Sequence, residues 1–291
     1  MSSKKNILVT GANGQLGMEF RDIEKNFSSY NFLFASREEI SIEDEFSIKK
    51  YFREHTIDYC INCAAYTAVD KAETETEKAI LINSTAVGNL AAVCKEYNAV
   101  FFHFSTDYVF NGQAIVAYKE TATPDPVNFY GQTKLMGEHA AIKNNDQSVI
   151  IRTSWVYSSY GKNFVKTMLR LMGERESIGV VADQTGCPTY AADLAAAVMK
   201  IISGEKFTPG IYHYCNNGII SWYEFAGYIK ELSDRNCVVN AIKTNEYPTP
   251  AARPMYSALD TQKIQEMYGI KMRGWKESLA ECIEKMKNNA N

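Results

Sequence analysis

Tyr130 and Lys134, in the run Tyr130-Gly131-Gln132-Thr133-Lys134, are the pair in this chain best suited to moving a proton. A four-residue spacing on a helix puts both side chains on one face. A free phenol titrates near ~10 and holds its proton too tightly for ready exchange near neutrality. An ammonium one turn away, together with the charge of an oxidised nicotinamide, would favour the phenolate and lower that value. Ser105-Thr106-Asp107 adds a hydroxyl, that of Thr106, able to hydrogen-bond a carbonyl oxygen as it becomes an alcohol. The chemistry these residues suit is hydride transfer to a ketone carbon, with Tyr130 protonating the oxygen. Alone, the pair has an ordinary alternative: a tyrosine packed near a helix start and a solvated lysine.

The glycine run Gly11-Ala12-Asn13-Gly14-Gln15-Leu16-Gly17 strengthens the first reading, because it follows an apolar strand at once and opens a helix. Without side chains the backbone can turn sharply and approach a pyrophosphate, and the helix start then offers unpaired N–H groups and a positive partial charge. The spacing is G-x-x-G-x-x-G rather than the commoner G-x-G-x-x-G. The end of the second strand should meet the adenosine ribose, where an acid would select a 2′-hydroxyl. Here Ser36-Arg37 stands instead, followed by Glu38-Glu39. Arg37 can clamp a 2′-phosphate, which favours NADPH, with NADH as the alternative; a surface arginine paired with the glutamates is the other explanation.

The elements that must position these groups alternate strand and helix through the first half, as in stacked βαβ units. Strands are expected at 6–10, 32–35, 58–63, 100–104 and 148–152, with helices at 15–26, 44–54, 75–97 and 130–143. The near-continuous apolar strands imply a sheet covered on both faces. Helical patterns follow at 163–172, 191–202, 222–233 and 274–287, with short strands at 178–181 and 211–215. Ser221-x-x-Glu224 reads as a capping box, and Asn245–Pro254, with three prolines, as a loop. The fold class expected is α/β: a Rossmann-type doubly wound parallel sheet, residues 1–155, with a smaller, mainly C-terminal α/β substrate lobe, residues 156–291. The two interleave, with 191–215 returning to the first.

At 291 residues the chain has ample core, and 22% charged with 46% hydrophobic residues is ordinary globular composition. A net charge of -3 gives no basic footprint for nucleic acid. No apolar run approaches a membrane span, and Met1-Ser2-Ser3-Lys4-Lys5 leads into too short an apolar stretch for a signal peptide, so a cytoplasmic protein is expected. The seven cysteines are odd in number and lie partly in apolar runs. Cys60-x-x-Cys63 has redox or zinc spacing but no second pair nearby, so buried reduced thiols are expected.

Taken together, these runs resemble the extended short-chain dehydrogenase/reductase family, and within it the dTDP-4-dehydrorhamnose reductase branch. Further carriers of the resemblance are Asn62 to Glu73, Phe104 to Phe110, Arg152 to Tyr157, Gly161 to Phe164, Asp183 to Thr189 and Pro248 to Pro254. The resemblance covers nearly the whole chain. It implies catalytic roles for Thr106, Tyr130 and Lys134. It implies cofactor contacts from Gly11, Gly14, Gln15, Leu16, Gly17, Ser36, Ser41, Ile42, Ala65, Tyr66, Thr67, Phe104, Tyr130 and Lys134. Thr106, Asp107 and Trp155 match sugar-contacting positions, and Arg253 would pair with the substrate diphosphate. The implied reaction is NAD(P)H-dependent reduction of a nucleotide-linked 4-ketosugar, dTDP-4-dehydro-L-rhamnose, to dTDP-L-rhamnose.

The sequence also departs from the pattern. Many relatives carry aspartate where Ser41 stands, which leaves that ribose contact open. Some form magnesium-bridged homodimers through glutamates; here Pro188 to Asp193 offers Asp193 alone, so no metal site is carried over and magnesium and dimerisation stay open. A sugar-nucleotide dehydratase would need an acid pair after the threonine, yet Asp107 precedes Tyr108. Another nucleotide-sugar 4-ketoreductase, or a non-catalytic regulatory subunit on the same fold, are the other readings; the second would tolerate loss of the tyrosine–lysine pair, which is intact.

Overall fold

The computed structural model describes residues 4–289. Met1, Ser2 and Ser3, part of the start read above as no leader, lie outside the described residues. In chain order the first half runs β1 (Lys5–Thr10), α1 (Gln15–Ile23), β2 (Tyr30–Ala35), α2 (Glu45–Glu54) and β3 (Tyr59–Asn62). It continues through α3 (Val69–Ala72), α4 (Thr76–Ile80), a π-helical turn at Leu81–Thr85, α5 (Ala86–Glu96), β4 (Val100–Thr106), α6 (Phe129–Asn144) and β5 (Ser148–Thr153). Then come β6 (Val156–Tyr157), α7 (Phe164–Glu174), β7 (Ser177–Val181), β8 (Thr185–Gly186), β9 (Thr189–Tyr190), α8 (Ala191–Ser203) and β10 (Gly210–His213). The last elements are β11 (Ile220–Ser221), α9 (Trp222–Ser233), β12 (Val238–Ile242), α10 (Gln262–Tyr268) and α11 (Trp275–Asn288).

Six strands form one parallel sheet in the order β10-β5-β4-β3-β1-β2. Alternate residues of the strands feed two cores. Ile7, Val9, Phe102 and Ile151 pack with Phe20 and with Leu194, Val198 and Ile202 of α8. Leu8, Cys60, Phe101 and Ile150 pack with Ile48, Phe52, Leu90 and Ala141 on the other face. Each fully buried aliphatic side chain contributes roughly 1.5–3 kcal/mol, which is what makes the continuous apolar runs specify a two-sided sheet. This is the Rossmann-like α/β architecture expected from the sequence.

The order reverses beside β1 and β3, so the crevice at the strands' carboxyl ends opens there. α8 covers the sheet and β10 extends it beyond β5; α10 also joins this body through Ile264. A separate core of Tyr157, Val165, Phe225, Ile229, Trp275 and Leu279 knits α7, α9 and α11 over the crevice. The Ser221–Glu224 capping box opens α9. Two contacts tie this core to α1: Ser158 donates to buried Glu19 at 2.5 Å, and the partly exposed Lys285 of α11 donates to the same carboxylate at 2.7 Å.

Candidate active site

The glycine turn is shaped by what lies above it. Gly11 has φ +63, and a Cβ there would stand 2.6 Å from the backbone nitrogen of Ala64. Gly17 sits against Ala12, where a Cβ would come within 2.7 Å. Gly14 caps α1 with no side chain on the helix's first N–H groups, leaving them open to an anion. The cavity in front holds about 340 Å³ and is lined by Gly11, Asn13, Gly14, Ser36, Arg37, Ile42, Cys63, Ala64 and Ala65, among others. A turn packed too closely on its neighbours' backbone to admit a Cβ, beside an uncapped helix start, fits a dinucleotide pyrophosphate. Gly11→Ala should therefore raise the dissociation constant for the dinucleotide about tenfold, because its methyl meets the Ala64 backbone and the turn relieves about 1–2 kcal/mol of left-handed strain by moving off the pyrophosphate position. Fluorescence titration with NADPH measures this, and unchanged binding would refute the cradle.

Of the other expected cofactor residues, Gln15 turns its amide to Asn163 of the second lobe at 2.9 Å, Leu16 packs on the sheet core and Gly17 lies behind the turn. Ser41 is held by its backbone N–H to Ser47. The rim where the ribose was expected is mixed in charge. Ser36 donates to Glu38 at 2.7 Å, and Arg37, 70% exposed, lies 2.9 Å from Glu43. Arg37 is thus held by a glutamate of the cavity wall, Glu43, rather than by the Glu38-Glu39 weighed above. Tyr66 is buried and Thr67 exposed on the loop after β3. Asn83, on the π turn, holds that loop by accepting from the Tyr66 N–H at 2.9 Å and donating to its carbonyl at 3.0 Å. π turns interrupt helices most often at functional positions, and no sequence period announces one.

The proton-handling groups meet at the end of β4. Asn128 caps α6, accepting from the Gly131 N–H, and so sets Tyr130 in the first turn. Tyr130 packs, as does Ile82, against the buried cluster of Tyr66, Ala72 and Ala79, and its ring stands edge-on to Tyr108, 6.0 Å between centroids. Thr106 donates to Asp107 at 3.0 Å and accepts from the Tyr108 N–H. Burial pushes the Tyr130 phenol well above its ordinary value; Asp107 pushes it further, and polar contact with Thr106 only partly offsets both. Asp107 itself is raised to about 7, chiefly by burial.

Lys134 departs from expectation. Its side chain is 2% exposed and its Nζ donates to the Phe104 carbonyl at 2.6 Å, with His103 Nε2 at 3.3 Å. Burial lowers the amine to about 8. Acidification of Tyr130 was expected from Lys134 together with an oxidised nicotinamide; from the protein's own groups burial dominates and holds the phenol above its ordinary value. A phenol that keeps its proton is the form a donor requires.

A second cavity of about 520 Å³ opens beyond Tyr108, lined by Asp70, Phe164, Arg175, Trp222, Tyr247 and Arg253, among others. Arg253 grips Asp70 through both nitrogens, at 2.5 and 2.8 Å, and holds that carboxyl below its usual range. Trp155 was matched to a sugar-contacting position, with core packing as the alternative. Trp222 stacks on it at 3.5 Å, and Gly186 packs against the indole. Trp155 also holds φ +47, a left-handed backbone that bulky residues rarely adopt and that clusters at functional sites. Trp222, Arg175, Phe164 and Tyr247 were missed because they come from four separate segments; the aromatic start of α9 was the only hint.

Asp193 accepts from Arg273, Asn216 and Ser278, so its oxygens are already engaged. All seven cysteines are unpaired, and Cys63 alone is not fully buried. No helix among the described residues is long and apolar enough to cross a membrane.

Comparison with known proteins adds to this geometry. The family described as the RmlD substrate binding domain matches residues 5–288. The spore coat polysaccharide biosynthesis protein SpsK of Bacillus subtilis is 42% identical over 279 residues, 96% of each chain. The dTDP-4-dehydrorhamnose reductase of Aggregatibacter actinomycetemcomitans is 41% identical over 94% of this chain and 96% of its own. A crystal structure of dTDP-4-dehydrorhamnose reductase from Bacillus anthracis, in complex with NADP, superposes with a TM-score of 0.93 at 38% identity, covering 97% of this chain and 99% of that one.

Proposed function

The chain belongs to the family of the RmlD substrate binding domain, and from that premise we propose that it reduces the C4 ketone of dTDP-4-dehydro-L-rhamnose to dTDP-L-rhamnose, with Tyr130 as proton donor. It is an NAD(P)-dependent oxidoreductase of the dTDP-4-dehydrorhamnose reductase kind. The observation that carries the finer reading is the position of Tyr130. Its ring stands edge-on to Tyr108, which lines the arginine-rich cavity, and it packs against the same buried cluster as Ile82, which lines the glycine-turn cavity.

A bound reduced nicotinamide supplies a hydride for the ketone carbon. The carbonyl's π electrons move to its oxygen, and Tyr130 gives that oxygen its proton. Thr106, beside the phenol, hydrogen-bonds the same oxygen as charge develops. Lys134, on the Tyr130 face, returns a proton to the phenolate before the next turnover. Gly11, Gly14 and the start of α1 hold the pyrophosphate, and Ser36 and Arg37 the adenosine ribose. In the second cavity Arg253 and Arg175 suit the substrate diphosphate, and Trp222, Tyr247 and Phe164 offer flat faces to the nucleoside. The division at residue 155, with 191–215 returned to the first body, belongs to the same proposal, as does the cytoplasm, which the unpaired thiols favour.

NADPH is the proposed preferred cofactor and NADH the second. Arg37→Ala should weaken NADPH about tenfold, the lower end of a charge-assisted contact at an exposed site, and leave NADH nearly unchanged. Equal losses for both would assign Arg37 no part in the choice. The test of the reaction is the fall in absorbance of the reduced cofactor across several nucleotide 4-ketosugars. Faster turnover of another ketosugar reassigns the substrate, and no turnover of any overturns the reductase reading.

A further inference from the structure

Below the crevice a row of polar side chains crosses three strands in register. Thr10 of β1 stands opposite Asn62 of β3, and Asn62 opposite His103 of β4. All three are buried, at 0%, 1% and 1% exposure, beside the aliphatic and phenylalanine side chains of both cores. Every contact in the row is made: Thr10 donates to Asn62 Oδ1 at 2.7 Å, Asn62 Nδ2 lies 3.2 Å from His103 Nδ1, and His103 Nε2 lies 3.3 Å from Lys134 Nζ. Burial of such groups is costly unless each is satisfied.

The directions of these bonds follow from one backbone group. The Ala64 N–H donates to Asn62 Oδ1 at 3.2 Å, and an N–H can only donate. Oxygen is therefore the Asn62 atom on that side, and the amide NH₂ points at His103 Nδ1. Nδ1 must then offer its lone pair, so in the neutral ring the proton sits on Nε2. Nε2–H faces the Lys134 nitrogen. We propose that His103 is a positioning residue for the reaction: oriented by Asn62, it presents Nε2–H to Lys134 Nζ, favouring the neutral amine and making the lysine ammonium a ready donor to the Tyr130 phenolate.

The inference rests on the reductase reading, because only turnover gives the lysine a proton to return. Burial, with Lys134 beside it, holds the His103 imidazole well below its usual value, hence neutral, and burial lowers Lys134 to about 8. The charged and titratable groups around Lys134 are His103 from β4, Tyr130 and Glu138 on its own helix, Arg152 of β5, which neutralises Glu138, and Asp107 beside Tyr130. The π turn contributes only the uncharged Asn83, bonded to Thr133. Lys134 also gives a hydrogen to the Phe104 carbonyl, a bond open to amine and ammonium alike, so the imidazole is the contact that tells the two apart.

Two measurements test this. Nitrogen NMR of the labelled protein alone reads which imidazole nitrogen carries hydrogen, with no substrate needed. Nε2 should be protonated in the natural protein and Nδ1 in Asn62→Asp, whose carboxylate accepts from that side. Protonation of Nδ1 in the natural protein overturns the proposal. In the pH profile of ketosugar reduction, the loss of turnover on the alkaline side should move upward by about one pH unit in His103→Phe, the worth of one neutral hydrogen bond. A downward or absent shift overturns it as well. Should His103→Phe not fold, Asn62→Asp carries both readouts. Failure of all ketosugar turnover would instead sink the reductase reading and leave the tautomer result standing.

Discussion

Tyr130→Phe should lower ketosugar turnover by about 10²- to 10⁴-fold, the range removed with a positioned general acid, while the dissociation constant for NADPH changes little. The contacts that seat this residue are apolar: the cluster of Tyr66, Ala72 and Ala79, and the Tyr108 ring. Phenylalanine keeps them and removes only the hydroxyl. Steady-state kinetics with fluorescence titration separates the two effects. Turnover within a factor of two of the natural protein would remove Tyr130 from the chemistry and leave Thr106, or a water it holds, as the proton source. A parallel rise in the cofactor's dissociation constant would show a seating role instead.

Glu138→Ala should cost about 3–5 kcal/mol of stability, the usual penalty for stranding one partner of a buried ion pair. Glu138 binds Arg152 through both oxygens, at 2.9 and 2.7 Å, and both side chains are at most 2% exposed. Ser105 adds a third bond to the same carboxylate. Arg152 also lies over the Phe110 ring at 5.2 Å, and its second terminal nitrogen already lacks a partner. Without Glu138 a full positive charge would remain in the core with only a ring face against it. Urea unfolding followed by circular dichroism measures the loss. Replacing both residues by methionine should recover most of it, because the desolvation cost goes with the charges. A single-variant loss below 1 kcal/mol would mean that water reaches the pair.

How much of this was legible in the sequence depended on pattern length. The strands at 6–10, 100–104 and 148–152 and the helices between them were readable because each buries a long, unbroken apolar run, and the observed elements differ from those bounds by one or two residues at most strand ends. α10 was not, because a seven-residue helix that buries only Ile264 has no period to read. β12 was not, because its residues are half-buried or exposed and it is paired only with β7. The helix expected at 75–97 is broken by the π turn, whose cause is Asn83 reaching a loop 17 residues earlier. In the site, the spacing of Tyr130 and Lys134 revealed the pair but not its surroundings. Lys134 was read as the partner of Tyr130 on one helix face, and His103 only as part of the strand at 100–104. Their meeting follows from how α6 packs on β4, which a single chain does not spell out.

The insertion of β10 beside β5 has a consequence for how this molecule comes into being. β5 is complete at Thr153, but its outer neighbour does not exist until residue 213 has been made. During synthesis the hydrogen-bonding groups along that strand therefore face solvent, or a chaperone, while the whole intervening stretch of nearly sixty residues is added. Ribosomes that stall within that interval would release chains with an open sheet margin, the form most prone to pair with one another.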